Sequence, residues 1–142
     1  MSPQADEVRL EFPSRFEFLS VLNSVAEEMA QQMGFDEEAL NAITISVVEA
    51  GTNAIQHGHQ EDPNKITRVL FRKEENRLVV VVRDEGGGFD PSQLGNPVAK
   101  ENLFAESGRG VYILRSFMDE VDFRFPEGAT GTECQLVKYL PR

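Results

Sequence analysis

Val8, Leu10 and Phe12 alternate with Glu7, Arg9 and Glu11, the period-two pattern of a strand with one face in a core. Pro13 closes it. Ser14 precedes Glu17 at capping-box spacing, and Phe18, Leu22, Val25, Met29 and Met33 then recur at helical intervals until Gly34 supplies a stop. This predicts a first helix. Asp36 caps a second, in which Leu40, Ile43, Val47, Ala50 and Ala54 form an apolar stripe reaching His57 or Gly58. The polar stretch from His59 to Lys65 reads as a surface connection. Two adjacent strands follow, roughly Ile66 to Arg72 and Leu78 to Arg83, around a turn containing Glu74, Glu75 and Asn76. The second is apolar and β-branched, which suits a sheet interior and leaves Asp84 at the end of a buried strand. From Pro91 to Ser107 there is little periodicity, and this long connection is a lid candidate. A third helix is expected from about Arg109 to Asp119, with Val111, Leu114 and Phe117 or Met118 inward. Strands Val121 to Phe125 and Thr132 to Tyr139 then flank a turn at Pro126 to Gly131.

This order predicts one domain over residues 1–142, a two-layer α/β sandwich whose mixed sheet is covered on one face by helices. At 142 residues the chain has room for one core. A net charge of −10 disfavours phosphate-backbone binding, so no direct nucleic-acid partner is expected. The single cysteine, Cys134, excludes an internal disulfide and a cysteine-rich zinc cluster, and is expected as buried filler. With neither a leader pattern nor an apolar run of spanning length, the reading is cytoplasmic, with no membrane partner.

Three features carry candidate chemistry. Glu49 and Asn53 are four apart on the second helix, so they share a face, and His57 extends that line. A carboxylate beside a carboxamide suits a base next to a metal-ligand oxygen; the same spacing equally fits a solvated helix face. Asp84-Glu85-Gly86-Gly87-Gly88 follows the buried strand, where a fixed acceptor meets glycines that let a ligand approach the main chain. A tight structural turn would look the same. Ser107-Gly108-Arg109-Gly110 opens the third helix, whose free N–H groups suit an anion, although a simple helix cap needs no ligand. His57 and His59 read as solvated or capping, and no zinc site is indicated.

Together Glu49-Ala-Gly-Thr-Asn53, Asp84-x-Gly86-x-Gly88, Gly108-x-Gly110 and Gly131-Thr132 resemble, in order, the N, G1, G2 and glycine-threonine boxes of the GHKL ATPase superfamily. Within it the chain looks most like the stand-alone anti-sigma factor serine/threonine kinases, from Phe12-Pro13-Ser14 to the last strand. Where some relatives carry a basic residue before the Ser-Gly, this chain has Glu106. The resemblance implies a Bergerat-type ATP-binding fold with a mainly antiparallel sheet and an ATP lid at about 91–107. It implies that Asn53 ligates Mg²⁺, that Asp84 accepts from the adenine amino group with Thr132 at the same edge, and that Gly86 and Gly88 turn beside the base. Gly108, Arg109 and Gly110 would close on the phosphates, and Glu49 would act as general base toward an incoming serine or threonine hydroxyl. The implied activity is an ATP- and Mg²⁺-dependent protein kinase that phosphorylates a small anti-sigma antagonist and sequesters a sigma factor. The alternative is an ATP-gated binding module that transfers no phosphate; a detached histidine-kinase catalytic domain ranks third. The Phe and Met residues of the first helix are expected in the core, with any excess on one side forming a homodimer face.

Overall fold

The structure, a computed structural model, describes residues 6–58, 62, 64–85, 110–124 and 131–141. Five strands, β1 (Asp6–Pro13), β2 (Ile66–Lys73), β3 (Arg77–Asp84), β4 (Glu120–Arg124) and β5 (Thr132–Tyr139), form one sheet in the order β1-β2-β3-β5-β4. The expected mixed, mainly antiparallel sheet is, among the described residues, antiparallel at every pairing. The last hairpin turns back so that β5, not β4, lies beside β3, which makes β5 an interior strand.

Register decides which face is covered. Val69, Val82 and Cys134 are cross-strand neighbours, as are Phe71, Val80 and Leu136, and all six are buried. Against them pack α1 (Leu19–Met33), α2 (Glu37–Asn53) and α3 (Gly110–Phe117), contributing Leu22 and Met29, Ile43 and Val47, and Leu114 to one core. On the opposite face Arg68, Arg72 and Arg83 pair with Glu11, Glu7 and Glu133. Such exposed pairs contribute about 0–1 kcal/mol each, so the stability of the layers rests on the apolar side. No helix among the described residues is long and apolar enough to cross a membrane.

Asp36 caps α2 as its sequence position predicts, its Oδ1 accepting from the Ala39 amide at 2.8 Å. Gly34 ends α1 in the left-handed region, φ 84°, a conformation that side-chain-bearing residues resist. The capping box at Ser14 does not form. The chain enters α1 through a 3-10 turn at Phe16–Phe18, and neither that turn nor α1 has a side-chain cap. The reason is the length of the β1–β2 ladder, which runs to Pro13 opposite Ile66 and draws the Ser14 hydroxyl to Thr67 Oγ1, 2.9 Å away and buried. The third helix stops at Phe117, two residues short of expectation, because the Asp119 amide donates to the Val137 carbonyl at 2.9 Å and joins the sheet.

Close approach of α1 and α2 depends on Gly51, where a Cβ would stand 2.7 Å from Leu22 Cδ2. That contact helps fix the C-terminal half of α2, which carries Glu49 and Asn53, over the sheet.

Candidate functional site

β3 and β5 end their ladder at Asp84 and Thr132, which are direct cross-strand partners. Both are 2% exposed, and the Thr132 amide donates to Asp84 Oδ1 at 3.3 Å. A buried carboxylate is costly unless hydrogen bonds satisfy it, so this contact holds an acceptor at a defined place rather than letting it retreat to solvent. Gly131 makes the arrangement possible. A Cβ at that position would stand 2.2 Å from the Asp84 carbonyl oxygen, a backbone atom that cannot swing aside. Gly131→Ala is therefore expected to destabilise the fold by about 1–3 kcal/mol, the usual cost of overpacking. Urea unfolding checks it, and an unchanged midpoint would show that the two segments separate at little cost.

The third member arrives from the helical layer. Asn53 is the last residue of α2 and 3% exposed, and neither its Oδ1 nor its Nδ2 has a hydrogen-bond partner among the described residues. Thr132 Oγ1 is in the same condition. Orphaned buried polar atoms cost about 1–3 kcal/mol each, and in a native fold they call for a ligand, an ion or a water. Immediately after Asn53 the helix widens into a π-helical turn, Ala54–Gly58, a distortion frequent at functional sites. Asn53, Asp84 and Thr132 line one cavity together with Ala50, Ala54 and Cys134. Its volume is about 10 Å³, close to the room one water needs. The arrangement can present a fixed acceptor, a hydroxyl and a carboxamide to a polar ligand edge.

Glu49 lies one turn before Asn53, half-buried, and does not line this cavity. Gly110 opens α3. Gly86, Gly88, Gly108, Arg109 and the expected lid at 91–107 lie outside the described residues, as does the His57 side chain. Cys134 is buried as expected, and burial pushes its thiol up to about 12, so it stays protonated at neutral pH and is no nucleophile. Sequence reasoning assigned no part in the site to Phe123 or Cys134, yet both line the cavity. For Cys134 the signal was present, since it alternates with Thr132 and Leu136 on one face of a strand. For Phe123 there was none, because its place depends on β4 pairing outside β5.

The profile of the histidine kinase-like ATPase domain matches residues 12–138, a span that holds Glu49, Asn53, Asp84 and Thr132. Serine-protein kinase RsbW of Bacillus subtilis (strain 168) is 33% identical over 146 residues, covering 99% of this chain and 89% of that protein. Serine-protein kinase RsbW of Bacillus cereus (strain AH820) is 28% identical over 148 residues, covering 100% of this chain and 90% of its own length.

Proposed function

This chain belongs to the histidine kinase-like ATPase domain family, and from that membership we propose that it is an ATP- and Mg²⁺-dependent serine-protein kinase. Its substrate in this reading is a small anti-sigma antagonist, whose phosphorylation releases the kinase to sequester a sigma factor. ATP binding follows from the family; the residue roles and the metal are the finer part of the proposal. The observation that carries it is the convergence of Asn53, Asp84 and Thr132 on one cavity, with three of their polar atoms unpartnered among the described residues. Asp84 would read the exocyclic amino group of adenine, with the Thr132 hydroxyl at the same edge. Gly86 and Gly88 would border the base, and Gly108, Arg109 and Gly110 the phosphates. Glu49 would take the proton of the attacking hydroxyl.

Asn53 fits Mg²⁺ on its own chemistry. Its Oδ1 is a hard, neutral oxygen, buried and without a partner, and Mg²⁺ takes few protein ligands alongside phosphate oxygens and water. When bound, the ion would neutralise charge on the nucleotide phosphates. Because the carboxamide is already unsatisfied, Asn53→Ala should leave apo stability within about 1 kcal/mol of the parent, or raise it, while removing most of the Mg²⁺ dependence of ATP affinity. Titration calorimetry with and without Mg²⁺ checks this, and an unchanged metal dependence would take Asn53 out of the site.

A cytoplasmic location and a homodimer belong to the same reading. Phe16 and Val21, 42% and 44% exposed at the start of the first helical segment, leave apolar surface there for a second copy. The deciding experiment captures partners from the source cell's lysate with and without Mg-ATP and maps new phosphosites by mass spectrometry. A sigma factor together with a small protein newly phosphorylated on serine or threonine supports the kinase. ATP-dependent capture without a phosphosite would replace it with a nucleotide-gated binding module, and an acid-labile phosphohistidine with a histidine kinase.

A further inference from the structure

A second concave surface lies at the other end of α2. This helix has 17 residues, so its N-terminus is about 25 Å from Asn53. There the first turns of α2, the last turn of α3 and the end of β5 enclose a groove of about 530 Å³. Its floor carries Ile45, Phe117 and Tyr139, which are 47%, 39% and 37% exposed. Single exposed apolar residues are ordinary; what sets Ile45, Phe117 and Tyr139 apart is that all three line one concavity and so offer a partner a shared apolar surface.

The charge around the groove is predominantly acidic. Asp36, Glu38 and Asp119 line it. The one lysine in the lining, Lys138, is already engaged, its Nζ donating to the Phe117 carbonyl at 2.8 Å and standing 3.8 Å from Asp119 Oδ1. Neither Glu37 nor Glu38 has an ion pair among the described residues. Between Arg15 and Lys65 the sequence contains nine acidic residues and no lysine or arginine, so the helical layer reinforces the same potential. Helix-dipole stabilisation accounts for acids in the first turn of α2. It does not account for the apolar floor beside them, nor for the absence of any basic residue across both helices.

We propose that this groove docks a basic amphipathic helix of a partner protein, its apolar stripe on Ile45, Phe117 and Tyr139 and its lysines or arginines toward Asp36 and Glu38. Strand addition is not open to this surface, because β5 is paired on both sides, by β3 and β4. The walls are two helices, which suits the helix-in-groove mode. A second copy meeting this groove with its own is the wrong occupant, since Asp36 and Glu38 would then face their counterparts across the contact. The inference is independent of the nucleotide reading, because the groove shares no residue with the Asn53–Asp84–Thr132 cavity.

The test titrates the full chain with a synthetic amphipathic helical peptide of leucine and lysine, and with its leucine–glutamate counterpart. Calorimetry is run at low and moderate salt on the parent, on Ile45→Lys and on Glu28→Lys, an exposed α1 position outside the groove. The lysine peptide is expected to bind the parent, to lose at least about tenfold in affinity with Ile45→Lys, and to change by less than about threefold with Glu28→Lys. The glutamate peptide should not bind. Equal losses in both variants would reduce the effect to general charge attraction and overturn the proposal, as would no binding by the parent or a preference for the glutamate peptide. A self-association of the parent that Ile45→Lys abolishes, seen by sedimentation, would overturn it in favour of a second copy. If Ile45→Lys melts early by circular dichroism, Phe117→Lys takes its place with the same expected loss.

Discussion

Asp84→Ala is expected to weaken ATP binding by about 10- to 100-fold, the worth of one charge-assisted hydrogen bond made away from water. The magnitude follows from burial. An exposed carboxylate would trade a ligand contact for a water contact at little net gain, but Asp84 is 2% exposed and steadied by the Thr132 amide. Part of the effect will be structural, since alanine leaves that amide without its acceptor. Asp84→Asn separates the two. Asparagine keeps an oxygen for the Thr132 amide but adds a donor, so it should narrow the preference for ATP over GTP, whose ring presents an acceptor where adenine presents an amino group. Competition binding of the two nucleotides to the parent and both variants measures this. An unchanged nucleotide preference in Asp84→Asn would mean that Asp84 holds the β3–β5 terminus together without reading a base.

Parts of this site were legible in the sequence because they are local. Asp84 follows a continuous β-branched run, and such a run ends buried; its last residue is then presented at the rim of the sheet. Asn53 four residues after Glu49 on a stripe-bearing helix fixes their shared face without any tertiary information. Asp36 and Gly34 are likewise decided by their own peptide geometry. What failed or stayed hidden was non-local. Ser14 has the spacing of a cap, but the sheet competes for its hydroxyl through Thr67, more than fifty positions on. The π-helical turn after Asn53 leaves no pattern in Ala54-Ile55-Gln56 that differs from a continuing α-helix. Gly131 reads as part of a turn in the sequence, and only the backbone oxygen of Asp84, 2.2 Å from where a Cβ would stand, shows why that position takes no side chain. The acidic groove is of the same kind, because the sequence displays the missing basic residues while the apolar floor is assembled from three separate elements.

The second large effect belongs to Glu49. Glu49→Ala is expected to reduce phosphoryl transfer by about 10²- to 10⁴-fold, the contribution of a positioned general base, while ATP affinity stays within about threefold of the parent. The separation of the two effects is a matter of position. Asn53 borders the cavity with Asp84 and Thr132 and Glu49 does not, so ATP affinity is expected to survive a change at Glu49. Along the helix the two residues are about 6 Å apart, one turn. Were Asn53 to hold Mg²⁺ beside a nucleotide, Glu49, one turn away on the same face of the helix, would be the group available to take a proton from an incoming hydroxyl. Glu49→Gln sharpens the test, because it keeps the size and hydrogen-bonding shape of the side chain and removes only its basicity. Equal losses in Ala and Gln, read by single-turnover transfer from labelled ATP, identify proton abstraction as the role. Full activity in Gln with loss in Ala would make Glu49 a positioning residue, and full activity in both would leave transfer to depend on metal and phosphate placement alone.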